Sequence, residues 1–409
     1  MDSRNRNNLH VVETDWEEIN KKIRKHRARR LRRIAIIVGV CVAAFIVYYM
    51  YMQHKTYEEY DVTEEISRSD SSAAKYLAYG SGYLKYSNDG ISYVSMDNTI
   101  IWNQSYEMEN PMVCICGSYA AAADREGETV YVLNEEGLQG QVTVNMPVSK
   151  IEVASQGTVA VLMEESGTGY LSLYNKGGDQ LAEGVVHAEN SGIPMDIALS
   201  TNGKNLAVAI MDVSSGSAGT TIQFYNFDTA GQNQIDNLVG SFTYADTVVP
   251  ELAYVDDSTL LAFADNGVYT FSGSASPQEG TALAVDDEIM SIFYDDRYFG
   301  LVYMDAMQDA GRIIRIYDMD CREQVTIQTD FSYDSIGFLD NHEICLVNAN
   351  RCSIFTLGGL QKFTCEFDGE IIAVFHERGF REYVILKEDI TERVRLKLFG
   401  NSTEAGDAS

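Results

Sequence analysis

Several residue types are scarce in this 409-residue chain, and each scarcity closes a class of function. Six histidines occur in all, and only His187, His342 and His376 lie beyond residue 54. All three sit in turns or loops without ligand spacing, which argues against a metal centre built on histidine. None has a serine or cysteine partner in a nucleophile context. Glycine pairs such as Gly177-Gly178 and Gly358-Gly359 end strands and open no helix, so they are turns and not phosphate loops. Tryptophan is limited to two residues, and no adjacent cysteine pair or Trp-rich repeat points to quinone redox chemistry.

Positive charge is scarce too, except at one end. Residues 1–33 carry 11 Lys/Arg against 5 Asp/Glu, a net +6; the rest carries 20 against 55, a net −35. A region that acidic repels nucleic acid and anionic headgroups and suits neutral or cationic partners, while also keeping a secreted domain soluble.

One long hydrophobic run stands out. Ile34 to Met52 reads IAIIVGVCVAAFIVYYMYM, without a charge. At ~1.5 Å rise per residue such a helix spans the hydrocarbon core of a bilayer. Tyr48, Tyr49 and Tyr51 fall where an interfacial aromatic belt lies. The charged leader before it and the lack of a small-residue site after it argue against a cleaved signal peptide.

The flanks orient the span. Residues 21–33 hold Lys21, Lys22, Arg24, Lys25, Arg27, Arg29, Arg30, Arg32 and Arg33 and no acid; residues 56–70 hold six acids and only Arg68. The positive-inside rule places the N-terminus in the cytoplasm and everything after Met52 outside. The basic residues are spaced to lie along anionic lipid headgroups, and Thr14 with Glu17 forms a capping-box pattern at a helix start.

Residues 53–75 are acidic and Ser-rich and read as a spacer. From Tyr76 to Phe399 no amphipathic helix is evident; short β-rich runs alternate with Gly, Asp and Asn turns. The hairpins repeat: YLAY–GSG–YLKYS, VCIC–GSY–AAAAD, IEVA–SQGT–VAVLM, DIAL–STNGKN–LAVAI, and four more. Units starting near 76, 113, 151, 196, 252, 291, 335 and 371 recur at a period that, with four strands each, predicts an all-β propeller, of eight blades or alternatively seven. Pro111, Pro147, Pro194 and Pro250 each precede a unit, where no ladder N–H is needed. Blade packing predicts inner strands covered on both faces and continuously apolar. The last unit shows three strands, and residues just before Tyr76 are the expected source of the fourth. A large β-sandwich is the rival fold. Residues 400–409 read as a disordered tail.

Six cysteines lie outside the apolar run. Cys114 and Cys116 share one face of one strand, too far apart for an easy bridge. Cys345 and Cys352 flank the turn NANR and are a possible disulfide, with Cys365 on the following strand; all six also fit as small buried hydrophobes. Acidic pairs (Asp256-Asp257, Asp286-Asp287, Asp295-Asp296, Asp318 with Asp320) fit turn chemistry. Asp318-Met-Asp320 lacks the glycine turn and distal Glu of an EF-hand loop. Asn103 and Asn401 stand in N-x-S/T patterns. Trp102 is either a packing residue between blades or a platform for a sugar or peptide.

LKYSNDGISYVSMDNTIIWNQSYEMENP, IPMDIALSTNGKNLAVAIM with IQFYNFD, and GQNQIDNLVGSFTYADTVVPE together resemble a family of uncharacterised membrane-anchored propellers of Firmicutes, mostly Clostridia, over roughly residues 75–399. DIALSTNGKNLAVAI is also similar to the Ser-Pro-Asp-Gly-Lys turn of TolB-like and WD40-like propellers, with Thr201 and Asn202 in place of Pro and Asp. The resemblance implies fold, anchoring and bacterial origin, and no assigned activity. No cofactor, metal ligand or catalytic residue is expected. The sequence points to a membrane-tethered extracytoplasmic binding or scaffolding propeller at the cell envelope, with other envelope proteins or a wall or peptide ligand as partners. An enzyme acting on glycans or peptides in the propeller funnel and a transmembrane sensor are the alternatives.

Overall fold

A computed structural model describes residues 16–68, 74–186, 192–213, 216–305, 307 and 311–398. Thr14, His187, Asn401 and the tail 400–409 lie outside the described residues. The chain divides into two compact units, residues 1–55 and 56–409.

Among the described residues, the first unit holds one helix, Trp16–Gln53. Its Arg24–Met52 portion is long and apolar enough to cross a membrane, a test that a signal sequence also passes. Helical hydrogen bonding runs unbroken from the basic residues into the apolar run, so the helix starts well before Ile34.

The second unit is a propeller of eight four-stranded antiparallel sheets. Blades 1 to 7 take four successive strands each, over residues 75–105, 111–143, 148–186, 193–244, 251–284, 289–329 and 335–366. Blade 8 takes three strands from 371–396 and its outermost from Tyr60–Ser67, antiparallel to Ile390–Leu396. The expected completion of the ring between the termini is therefore present. It also corrects the reading of 53–75 as a spacer. An outermost strand is wet on both faces, so its composition looks like that of a linker.

Each blade begins with its innermost strand, and here the pattern differs from the expected one. Continuous burial belongs to the second strands: Val159–Met163, Leu206–Ile210, Leu260–Ala264 and Phe299–Tyr303 are buried at every position. Some innermost strands are only half-covered, as in Pro111–Cys116 and Ile289–Tyr294, while Asp196–Leu199 of blade 4 is buried throughout. A second strand is sandwiched between neighbouring blades on both faces, whereas the innermost strand has one edge on the central channel. Buried side chains of adjacent blades interlock; Ala154, Leu162 and Leu173 of blade 3 pack with Ile197 and Val208 of blade 4.

The turn joining first and second strands lies at the same rim in every blade, and these turns bond from blade to blade. Tyr79 Oη donates to Ser118 O (2.5 Å), Ser155 Oγ to Thr201 O (2.9 Å) and Asn205 Nδ2 to Asp257 O (2.9 Å). Farther round, His342 Nδ1 meets Asp295 Oδ2 (2.6 Å) and His376 Nδ1 meets Asp340 Oδ1 (2.8 Å).

Candidate functional site

Strand bulges shape the channel wall. The innermost strands of blades 3, 4, 6 and 8 slip register near their starts, at Val148/Lys150, Pro194/Asp196, Ile289/Ser291 and Ile371/Ala373. A bulge re-aims the side chain that follows it. In blades 3 and 4 the re-aimed residues are Lys150 and Asp196, and they meet. Lys150 Nζ lies 2.5 Å from Asp196 Oδ1, and Asp196 is only 2% exposed. Asp196 Oδ2 accepts the Leu252 amide of blade 5 at 2.8 Å. One carboxylate thus ties three consecutive blades at their inner edges.

Two more carboxyls share this field. Burial and then the charge of Asp196 push the Glu152 carboxyl up to about 8, with Glu251 adding to the rise and Lys150 opposing it. Glu152 is half-buried. Glu251 is raised by burial and Asp196, against Lys150 and a hydrogen bond from Tyr294. Burial and then the neighbouring carboxylates raise Tyr294. Burial and the nearby Glu152 likewise raise Cys114 and Cys116 of blade 2. Five innermost strands therefore contribute to one polar cluster: three carboxyls, one lysine, a phenol and two thiols. Burial, and then the excess of carboxyls over the one cation, favour the protonated form of Glu152. A ligand ammonium or guanidinium would relieve the same repulsion.

The sequence named Cys114 and Cys116 but missed Lys150, Glu152, Asp196 and Glu251. Their signal was a charged residue inside a strand that opens a repeat, in three successive units.

A pH test follows. Unfolded Glu152 ionises near 4.5, while folded Glu152 holds its proton to about 8. Its contribution to stability is fully present below pH 4.5 and is lost as pH rises toward 8, because there the unfolded chain binds fewer protons than the folded one. Urea unfolding of Glu152→Gln is expected to match wild type near pH 4.5 and to gain on it steadily up to pH 8. Parallel profiles for the two proteins would sink this assignment.

The other residues singled out by the sequence are dispersed. Trp102, on the outer strand of blade 1, covers the backbone of Gly137 in blade 2, and its Nε1 donates to Glu135 O (3.2 Å). Gly178 and Gly359 occupy left-handed turn positions at φ 94° and 78°. Asp256 accepts the Ser258 and Thr259 amides, both at 2.7 Å, and Asp318 those of Asp320 and Arg322, at 3.0 and 2.9 Å. Asn103 accepts from Ser92 Oγ at 3.0 Å. Asp295, Asp296 and His342 bring donor atoms within 4.8 Å of one another, as a metal site requires. Asp295, however, spends one oxygen on the Arg297 and Tyr298 amides and the other on His342, so the group works as an interblade staple. Sequence reading missed it, although Asp295 and His342 occupy nearly the same turn position in consecutive repeats. Cys345 and Cys352 are buried free thiols with Sγ atoms 3.8 Å apart, and Cys365 lies opposite Cys352 across the next strand pair.

Residues 53–396 match a family described as "Family of unknown function (DUF5711)". No curated protein matches. Among solved structures, BamB from Moraxella catarrhalis superposes with a TM-score of 0.49 at 12% identity, over 83% of this chain and 100% of that one. A structure titled as the eukaryotic initiation factor superposes with a TM-score of 0.50 at 15% identity, over 84% of this chain and 88% of that one. Likeness at such low identity speaks to fold alone.

Proposed function

The chain belongs to this family of unknown function, and we propose that it is a membrane-tethered binding propeller, held outside the cytoplasm at a bacterial cell envelope, whose channel receives a cationic group of a protein or peptide partner. The observation that carries the reading is the surplus of carboxyls over cations at the inner edges of five blades. Bulges and interblade bonds hold this cluster in place, and preorganised groups pay little ordering entropy on binding. The nine basic residues of 21–33 keep that side of the helix in the cytoplasm and lie along anionic headgroups; the acidic stretch after Met52 faces outward.

This placement puts Cys345 and Cys352 in an oxidising compartment, where their proximity favours a bridge between adjacent strands.

The test is cross-linking of the full-length protein in its native envelope, with partners identified by mass spectrometry. One or two partners are expected to be enriched over an unrelated anchored control and to be lost with a Glu152→Gln/Glu251→Gln double variant. Enrichment of nothing beyond the control would overturn the reading.

A second reading has one observation in its favour. A carboxyl holding its proton to about 8 beside ionised neighbours is the arrangement of a general acid, as in glycoside hydrolysis. Release of reducing ends or new amino termini from envelope material, lost in Glu152→Gln, would favour it.

A further inference from the structure

The outer girth of the propeller is unevenly guarded. The outermost strands of blades 1–4 are Ile100–Ser105, Gly137–Thr143, Gln180–Val186 and Leu238–Tyr244, and the only charged residue among them is Glu183. Those of blades 5–8 carry Glu279, Glu323, Lys362, Glu366, Asp61, Glu64 and Glu65. Charges on an edge strand discourage another strand from pairing with it; the outermost strands of blades 1, 2 and 4 have none, those of blades 3, 5 and 6 have one each, and Lys362 is buried against Glu343.

Gln180–Val186 of blade 3 is set apart by a groove on each side. A groove of about 450 Å³ separates it from blade 4, walled by Leu171, Val185, Tyr225, Phe227 and Leu238 and rimmed by Asp236. Another, of about 640 Å³, separates it from blade 2, with Val144, Met146 and Tyr170 in its wall. Leu181 is 57% exposed and Val185 39%, and Ile235, at the lip of the first groove, is 85% exposed. Among the described residues, the outer edge of the strand has no neighbour in its sheet.

We propose that the Gln180–Val186 edge is a docking strand for an extended segment of a partner protein. The segment would add to blade 3 as a fifth strand, with alternate side chains in the two grooves and a Lys or Arg against Glu183 or Asp236. Strand addition draws affinity from main-chain hydrogen bonds and specificity from pockets that take alternate side chains, and a pocket on each side of one free edge supplies both. Among the described residues, the charged ones lining the blade 3–4 groove are Glu183 and Asp236, in an acidic domain, which selects a basic residue in the segment. This inference is independent of the channel.

A displayed library of random nonapeptides, panned against the full chain in nanodiscs, tests it. Enriched peptides are expected to alternate apolar residues and to carry Lys or Arg. They should protect the 180–186 amides from hydrogen exchange and bind at least about tenfold more weakly to Leu181→Lys/Val185→Lys. Thr326→Lys, on the blade 6 outer strand, should bind as wild type. Failure to enrich any peptide, binding indifferent to the blade 3 substitutions, or protection spread over blades 5–8 would overturn the proposal. Pairing of Gln180–Val186 with its own copy, read as dimerisation abolished by Leu181→Lys/Val185→Lys, would overturn it in favour of self-association.

Discussion

Replacing residues 56–68 in the full chain with a Gly/Ser linker of equal length is expected to abolish cooperative unfolding of the propeller. Seven residue pairs join Tyr60–Ser67 to Ile390–Leu396, and without them blade 8 presents a bare edge. The segment also reaches blade 7: the Tyr57 amide donates to Lys362 O at 2.7 Å, and the Tyr57 side chain is 1% exposed among Phe363 and its neighbours. The Tyr60 ring packs tilted against Phe367, centroids 4.8 Å apart, and the Arg68 amide donates to Asp389 O at 2.6 Å. Ladder bonds at ~1 kcal/mol net each, and truncation of a buried aromatic at ~3–5 kcal/mol, together approach the ~5–15 kcal/mol that holds a typical domain. Circular dichroism during urea unfolding should show a broad, early transition. A sharp transition at the wild-type midpoint would mean that the ring closes without this strand.

Glu343→Gln is expected to cost ~3–5 kcal/mol, because it strands a buried cation. Lys362, only 3% exposed, pairs with Glu343, and its Nζ lies 2.8 Å from Tyr383 Oη. The Tyr383 hydroxyl donates to the other Glu343 oxygen, so the three side chains close a ring between blades 7 and 8. Burial already drives Lys362 below the usual lysine range, and Glu343 is the group that opposes this shift. Lys362→Met on top of Glu343→Gln is expected to recover most of the loss, since it removes the uncompensated charge. A Glu343→Gln loss under ~1 kcal/mol, or a double variant no better than that single one, would show that the pair contributes little.

The extent of sequence legibility follows from what each element buries. The starts read from the hairpins fall within three residues of the observed blades, because most second strands are apolar runs bounded by turn residues. The turn aspartates were legible for the same local reason. The closing strand was placed only in outline, since YDVTEEIS has no apolar face to mark it. The rim pairs Asp295–His342 and Asp340–His376 sit 47 and 36 residues apart, at a separation set by the blade period and not by any local pattern.

The sequence by itself determined the repeat, the blade boundaries, the apolar helix and the division between a basic leader and an acidic body, because each rests on residues near one another in the chain. Only the tertiary structure decided the contacts of the closing segment with blade 7, the meeting of Lys150, Glu152, Asp196 and Glu251, and the two grooves beside the blade 3 edge. Each of these depends on strands from different blades being brought side by side. The field at Glu152 is the sharpest case. Its proton is held by burial and by Asp196 and Glu251, which stand 44 and 99 positions farther along the chain, and no local pattern records their distance in space.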